Sequence, residues 1–151
     1  GNAPAGSTED QAKRRCIEAL EECCDYAGNA GIFLGLENHG GIVAEPGGVL
    51  AIVKAVKSPW LGVNLDTGNF HTDDPYRDIQ SCAPYAVNVQ VKAEMSPKGQ
   101  KAQTADLPRL IRILRDARYQ GFVALEYESA PSPWEAIPPL LKTLSSLMGP
   151  A

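Results

Sequence analysis

Basic runs, long apolar runs and a leader segment are all missing from this sequence. Its 14 lysines and arginines are outnumbered by 18 acidic residues, which leaves a formal net charge of −4. Nucleic acids and anionic membrane surfaces require a basic footprint, so neither is expected as a partner. No apolar run approaches the ~18 residues of a membrane span, and residues 1–6 resemble neither a signal peptide nor a transit peptide. The missing initial methionine predicts a processed, tagged or truncated chain.

Cysteine and histidine are scarce as well. The chain has four cysteines and two histidines, and no two cysteines form a C-x-x-C pair. The cysteine spacing therefore matches neither a zinc ribbon nor a redox motif. We expect free thiols in a reducing compartment, which favours a cytoplasmic location.

What is present is a regular alternation of helix and strand. A first helix is predicted from a Ser7 or Thr8 cap to Gly28, and four strand-helix units follow with a period near the ~30 residues of a βα unit. The predicted strands are 31–38, 60–66, 86–92 and 121–128, and the predicted helices after them are 46–57, 75–82, 105–119 and 134–144. The prolines at 138 and 139 predict a kink or a late start in the last helix. The order predicts one α/β domain over 1–151 with a parallel sheet and right-handed crossovers.

The alternation of side chains along the strands distinguishes a doubly wound sheet from a barrel. One parity of the four strands is apolar throughout and is expected under the helices. Its members are Ile32, Leu34, Leu36, Leu61, Val63, Leu65, Val87, Val89, Val91, Val123, Leu125 and Tyr127. The other parity turns polar toward each strand end, whereas a doubly wound sheet should be apolar on both faces. Barrel strands whose inner face opens into a site at their C-terminal ends fit better.

Four oxygen-bearing side chains occupy that inner parity. They are Glu37, Asp66, Gln90 and Glu126, one from each strand. Clustered carboxylates need a compensating cation, so a divalent metal is expected, with Mn²⁺ or Mg²⁺ and then Co²⁺ suited to hard oxygen ligands. The alternative is that these acids are merely solvated strand ends.

Four motifs together resemble the sugar-phosphate isomerase/epimerase family of xylose-isomerase-like TIM barrels. They are Gly35-Leu36-Glu37-Asn38-His39-Gly40-Gly41, Asn64-Leu65-Asp66-Thr67-Gly68-Asn69, Val87-Asn88-Val89-Gln90-Val91-Lys92 and Ala124-Leu125-Glu126-Tyr127-Glu128. The resemblance covers nearly the whole chain. It implies the metal ligands Glu37, Asp66, Gln90 and Glu126, with Gln90 standing where the family usually has histidine and offering a carbonyl oxygen.

The resemblance also implies the fold and the partners. The family's barrel has eight βα units, and this chain resembles the C-terminal half of that (β/α)8 barrel. A half-barrel leaves two apolar sheet edges that invite pairing. We therefore expect either a homodimer or association with a missing N-terminal half-barrel.

In this family a metal-stabilised enediolate is formed from a keto-sugar. The resemblance implies that Glu37 and Glu126 move the proton and that His39, Asn69 and Lys92 bind the substrate. Alternatively, Lys92 forms a salt bridge to Glu126 or Glu128. His39 is equally well explained as a loop residue bonded to the backbone.

Two other functions compete with this one. A non-catalytic half-barrel scaffold would associate to complete a barrel without turnover. Endonuclease-IV-like repair is disfavoured because that chemistry uses several metals and many histidine ligands, whereas this chain has two histidines and a net negative charge. The two tryptophans, Trp60 and Trp134, are expected in the core.

Overall fold

The chain forms five α-helices and six strands in the part that the structure, a computed structural model, describes, residues 1–149. The helices are α1 (Glu9–Asn29), α2 (Pro46–Ala55), α3 (Pro75–Cys82), α4 (Leu107–Asp116) and α5 (Pro133–Met148). The strands are β1 (Leu34–Glu37), β2 (Leu61–Asp66), β3 (Ala86–Lys92), β4 (Glu94–Met95), β5 (Gln103–Thr104) and β6 (Val123–Glu126). No helix in residues 1–149 is long and apolar enough to cross a membrane.

The helix starts follow from local capping. Thr8 and Gln11 form a capping box at α1, because each side chain accepts a hydrogen bond from the other residue's backbone N–H. Asp74 caps α3 and Asp106 caps α4, each bonding a backbone N–H three residues on. The predicted helices are therefore all present, with ends shifted by a few residues.

Helix α5 departs from its prediction. It begins at Pro133 and continues through Pro138 and Pro139, so of the two predicted alternatives the late start is wrong and the kink stays a prediction. Packing outweighs the two missing N–H donors here, because Leu144 is buried and Arg115 donates to the carbonyl of Leu147 near the helix end. The Trp134 prediction is also wrong: this side chain lies on another face of α5 and is 88% exposed.

The main sheet has four parallel strands in the order β1-β2-β3-β6. Its apolar parity packs under the helices, where Val63, Leu65, Val89 and Val91 are fully buried. Helices α2, α3 and α4 cover them with Val49, Ile52, Ile79 and Leu110. Within residues 1–149 the other face carries no helix layer, so the predicted one-sided arrangement is confirmed.

Three apolar residues near the N-terminal ends of the edge strands are not covered. Strand β1 begins only at Leu34, three residues later than predicted, and Ile32, expected under the helices, is 56% exposed. Phe33 and Phe122 are exposed too. Both edges of the sheet, β1 and β6, thus begin beside uncovered apolar side chains.

A bulge interrupts the parity of β3. Val63 pairs with Ala86 and Asn64 pairs with Asn88, so Val87 is the extra residue. A methyl group at Gly62 would contact the Val87 side chain, which places Val87 on the polar face and not under the helices as predicted. Ala86 packs against the core instead.

Residues 94–104, which lie between the third predicted strand and the helix after it, contain a small antiparallel pair. Strand β4 pairs with β5 through Glu94 with Thr104 and Met95 with Gln103. Met95 is 3% exposed, and its burial anchors this hairpin over the C-terminal end of β3.

Candidate active site

The uncovered face of the main sheet carries the predicted site residues at the C-terminal ends of its strands. Strand register puts Glu37 beside Asn64, Asp66 beside Gln90, and Lys92 beside Glu126. From β1 to β6 the four predicted ligands therefore lie progressively nearer the C-terminal edge of the sheet, as expected where barrel strands are tilted. All of them belong to one polar surface.

The ammonium group of Lys92 lies at the centre of the carboxylates. Its Nζ is 3.3 Å from Asp66 Oδ2, 2.8 Å from Glu126 Oε1 and 2.6 Å from Glu128 Oε2. Only 8% of the Lys92 side chain is exposed. Burial alone would lower the pKa of Lys92, but its hydrogen bonds to Glu126 and Glu128 and the charge of Asp66 raise it above the ordinary value. Lys92 is therefore a permanent positive charge in this site.

Two residues of the loop after β2 position Lys92. The buried Thr67 accepts the Lys92 backbone N–H through Oγ1 at 3.0 Å. At Gly68 any Cβ would lie 2.5 Å from Lys92 Cγ and 2.9 Å from its Cβ, closer than real contacts allow. The absence of a side chain at Gly68 is thus a requirement for this Lys92 conformation.

Asp66 is fully buried and held through its backbone. Asn38 donates to the Asp66 carbonyl at 2.8 Å and accepts the Asp66 N–H at 2.9 Å, so one amide extends the ladder from β1 to β2. Asp66 Oδ1 accepts the Gly68 N–H at 2.7 Å, whereas buried Oδ2 has no hydrogen-bond donor among the described residues and faces Lys92. Burial raises the pKa of the Asp66 carboxyl, and the Gly68 N–H and Lys92 oppose that shift.

A chain of amides connects the two carboxylates predicted to transfer protons. Asn88 donates to Asn64 at 2.8 Å, and Asn64 donates both to Glu37 at 3.3 Å and to the carbonyl oxygen of Gln90. Gln90 in turn donates from Nε2 to Glu126. Gln90 therefore presents its N–H group to the Glu126 carboxylate, and its oxygen accepts a hydrogen bond from Asn64.

Of the other predicted substrate-binding residues, Asn69 contacts the site and His39 does not. Asn69 reaches Glu37, with Nδ2 3.4 Å from Oε1. His39 is exposed, and no hydrogen bond among the described residues involves its ring. His71, outside the predicted set, has Nδ1 3.0 Å from the carbonyl of Ser96.

Sequence reasoning gave no role to Asn38 or Thr67. Both are fully buried polar residues that hold Asp66 and Lys92 in place. Each follows its strand at a position whose side chain points to the apolar, helix-covered face. A polar residue at such a position indicates a buried side chain that forms hydrogen bonds.

The arrangement does not suit a divalent ion. Among residues 1–149 no group of three or more histidine, cysteine, aspartate or glutamate side chains could hold one. The physical reason is visible in the contacts, because Lys92 lies between the acids and Gln90 turns its N–H group to Glu126. The predicted ligand set stays a prediction.

Two cavities lie near this surface. One of about 210 Å³ opens beside Lys92 and Glu128 and is bounded by Asn69, His71 and Ser96. Another of about 460 Å³ lies between the starts of α2 and α3 and is lined by none of the predicted site residues. The smaller cavity is the one adjacent to the charged cluster, so we associate it with the site.

Solved structures of similar fold include sugar epimerases. The 3-keto-D-glucoside 4-epimerase of E. coli has a TM-score of 0.74 and 16% identity, with 93% of this chain and 56% of that chain covered. A xylose isomerase domain protein from Planctomyces limnophilus has a TM-score of 0.72 and 18% identity, with 97% and 57% covered. A xylose isomerase-like TIM barrel protein from Mycobacterium smegmatis in complex with magnesium has a TM-score of 0.73 and 21% identity, with 98% and 55% covered.

The chain thus spans about half the length of these proteins, and the predicted half-barrel fold is confirmed. No protein of curated function matches the sequence. A family model described as xylose isomerase-like TIM barrel matches residues 1–146. The chain therefore belongs to the xylose isomerase-like TIM barrel family.

Proposed function

We propose that this chain provides the proton-transfer half of a sugar isomerase or epimerase. The observation that supports it is the hydrogen-bond chain Glu37–Asn64–Gln90–Glu126, which ties two carboxylates on opposite edge strands into one open polar face. A carboxylate on each side of a substrate is what proton removal and return at one carbon requires. The sugar-epimerase structures of the same fold agree with this choice.

The residues present divide the work as follows. Glu126 and Glu37 take and return the proton at the carbon next to the carbonyl. Lys92, which already contacts Glu126, faces the smaller cavity and holds the substrate oxygen on which negative charge develops. Asn69 binds a substrate hydroxyl and keeps Glu37 oriented.

The family resemblance names a divalent ion as cofactor, Mn²⁺ before Mg²⁺ or Co²⁺. Such an ion would polarise the keto-sugar and its neighbouring hydroxyl. For Asp66, Gln90 and Glu126 to bind it, Lys92 would have to withdraw and the Gln90 amide would have to turn. The residues as arranged do not fit the ion, so no step above depends on it.

The test is proton exchange from solvent. The purified chain is incubated in D₂O with D-fructose, D-psicose, D-tagatose and L-ribulose, with Mn²⁺ and separately with EDTA. We expect deuterium to appear by NMR at the carbon next to the carbonyl, together with the epimeric sugar. A folded sample that catalyses no exchange with any ketose under either condition would contradict the proposal.

That negative result would favour the second candidate, a half-barrel scaffold without turnover. One observation favours it: the chain spans about half the length of the solved relatives. Circular dichroism of the same sample separates a folded scaffold from an unfolded chain.

We further propose that the two open edges pair with another half-barrel, either a second copy or an N-terminal half. Strands β1 and β6 each lack a partner on one side in residues 1–149, and exposed Phe33 and Phe122 lie next to them. Light scattering after size exclusion is expected to give twice the 16.2 kDa of one chain if two copies pair. A stable, well-folded monomer would count against both arrangements.

A further inference from the structure

We propose that the ammonium group of Lys92 is the resident cation of this site and excludes a divalent ion from it, so that metal binds only when Lys92 leaves. The inference rests on the proposed cofactor site but not on turnover. Its test is therefore an affinity measurement, which can succeed or fail independently of catalysis.

The first argument is position. Lys92 Nζ contacts Asp66, Glu126 and Glu128 at 3.3, 2.8 and 2.6 Å, and two of these acids are predicted metal ligands. An ion bound to Asp66 and Glu126 would occupy the same space as the ammonium group, or lie next to it. Two cations this close together repel each other, and the burial of the Lys92 and Asp66 side chains limits how far water can screen that repulsion.

The second argument is how firmly Lys92 is held there. Its backbone N–H is bonded to Thr67, and its stem lies in the space that Gly68 leaves open. The side chain is nine-tenths buried, with three carboxylates as its partners. A contact built from both the backbone and the side chain is part of the folded site and is not an incidental surface pair.

The third argument is the Gln90 amide. A metal ligand must offer its oxygen, but Gln90 uses that oxygen to accept from Asn64 and points its N–H group at Glu126. This orientation suits a carboxylate already neutralised by Lys92. The hydrogen-bond chain that begins at Asn88 supports this orientation, because the Asn64 oxygen accepts from Asn88 while the Asn64 N–H group donates to Gln90.

The experiment compares Mn²⁺ affinity by calorimetry and by the electron-spin-resonance signal of free Mn²⁺, using the full chain. We expect weak binding to the wild type and binding tighter by about 5–150-fold for Lys92→Met, the usual range of coupling between two sites. Lys92→Arg keeps the charge and should remain weak. Lys57→Met, which removes an exposed lysine at the end of α2, is the matched control and should not change the affinity.

A second variant protects the test if Lys92→Met does not fold. Lys92→Gln removes the same charge but keeps a polar side chain at this largely buried position, and it should tighten Mn²⁺ binding in the same direction. Tight binding to the wild type, or affinity unchanged in both Lys92→Met and Lys92→Gln, would overturn the proposal.

Chemical labelling gives a readout independent of affinity. Reductive methylation followed by mass spectrometry should find Lys92 protected without metal, while saturating Mn²⁺ should make it reactive. A Lys92 that stays equally protected when Mn²⁺ is bound would show that both cations fit together, which contradicts the exclusion.

Discussion

Replacing Glu126 by glutamine is expected to lower the rate of solvent proton exchange into the substrate by about 10²–10⁴-fold, the usual contribution of a positioned acid or base. Glutamine has nearly the same shape, and its single oxygen can still accept the hydrogen bond from Gln90. The contact between Glu126 Oε1 and Lys92 is lost with the charge, so the expected loss of rate combines the missing base with a weakened Lys92 contact. The rate is followed by NMR in D₂O with each of two epimeric ketoses.

The use of both epimers makes the Glu126 test sharper. If Glu126 and Glu37 serve opposite faces of the sugar, Glu126→Gln should block exchange from one epimer and Glu37→Gln exchange from the other. Glu135→Gln, an exposed glutamate in the first turn of α5, is the control and should exchange at the wild-type rate. Equal exchange in Glu126→Gln and wild type would remove Glu126 from the proposed role.

Replacing Asn38 by leucine is expected to lower the free energy of unfolding by about 2–6 kcal/mol, because a buried N–H and a buried C=O would each lose their partner at roughly 1–3 kcal/mol apiece. Both groups belong to Asp66, which is fully buried. Leucine has a similar size, so little of the loss would come from a cavity. Urea unfolding followed by circular dichroism measures it.

Two further variants separate hydrogen bonding from packing at this position. Asn38→Asp keeps an acceptor for the Asp66 N–H but sets a carboxylate against the Asp66 carbonyl, so it should also be destabilised. Asn29→Leu, at the exposed end of α1, should leave the urea midpoint close to that of the wild type. A midpoint for Asn38→Leu as high as the control would mean that water replaces both bonds.

The fold was largely predictable because its signals are local. The covered face of each strand is indicated by apolar residues at alternate positions, as in Leu61–Leu65 and Val89–Val91. The helix starts are indicated by cap residues such as Thr8 and Asp74. Where tertiary packing decides, prediction failed. Burial of Leu144 keeps α5 helical through two prolines, and the bulge at Val87 reverses the side chain's face.

That the predicted site residues share one face of the sheet was predictable from strand parity, but the contacts among them were not. Strand parity brings Glu37, Asp66, Gln90 and Glu126 to one face, yet parity says nothing about what neutralises them. A divalent ion and the ammonium group of Lys92 satisfy the same charge requirement. Choosing between them depends on how far the Lys92 stem can reach, which the space beside Gly68 determines.

Because of the bulge in β3, the direction in which the site residues of this strand point does not depend on the length of the segment before it. Ala86 already lies on the core side and Asn88 on the polar side, so the alternation through Gln90 and Lys92 would be the same without Val87. In an unbulged strand, one residue gained or lost would turn every later side chain to the opposite face. Here a change in the turn between α3 and β3 can be absorbed at Val87. The chain can therefore tolerate length variation at the entrance to β3 while its charged residues keep their orientation.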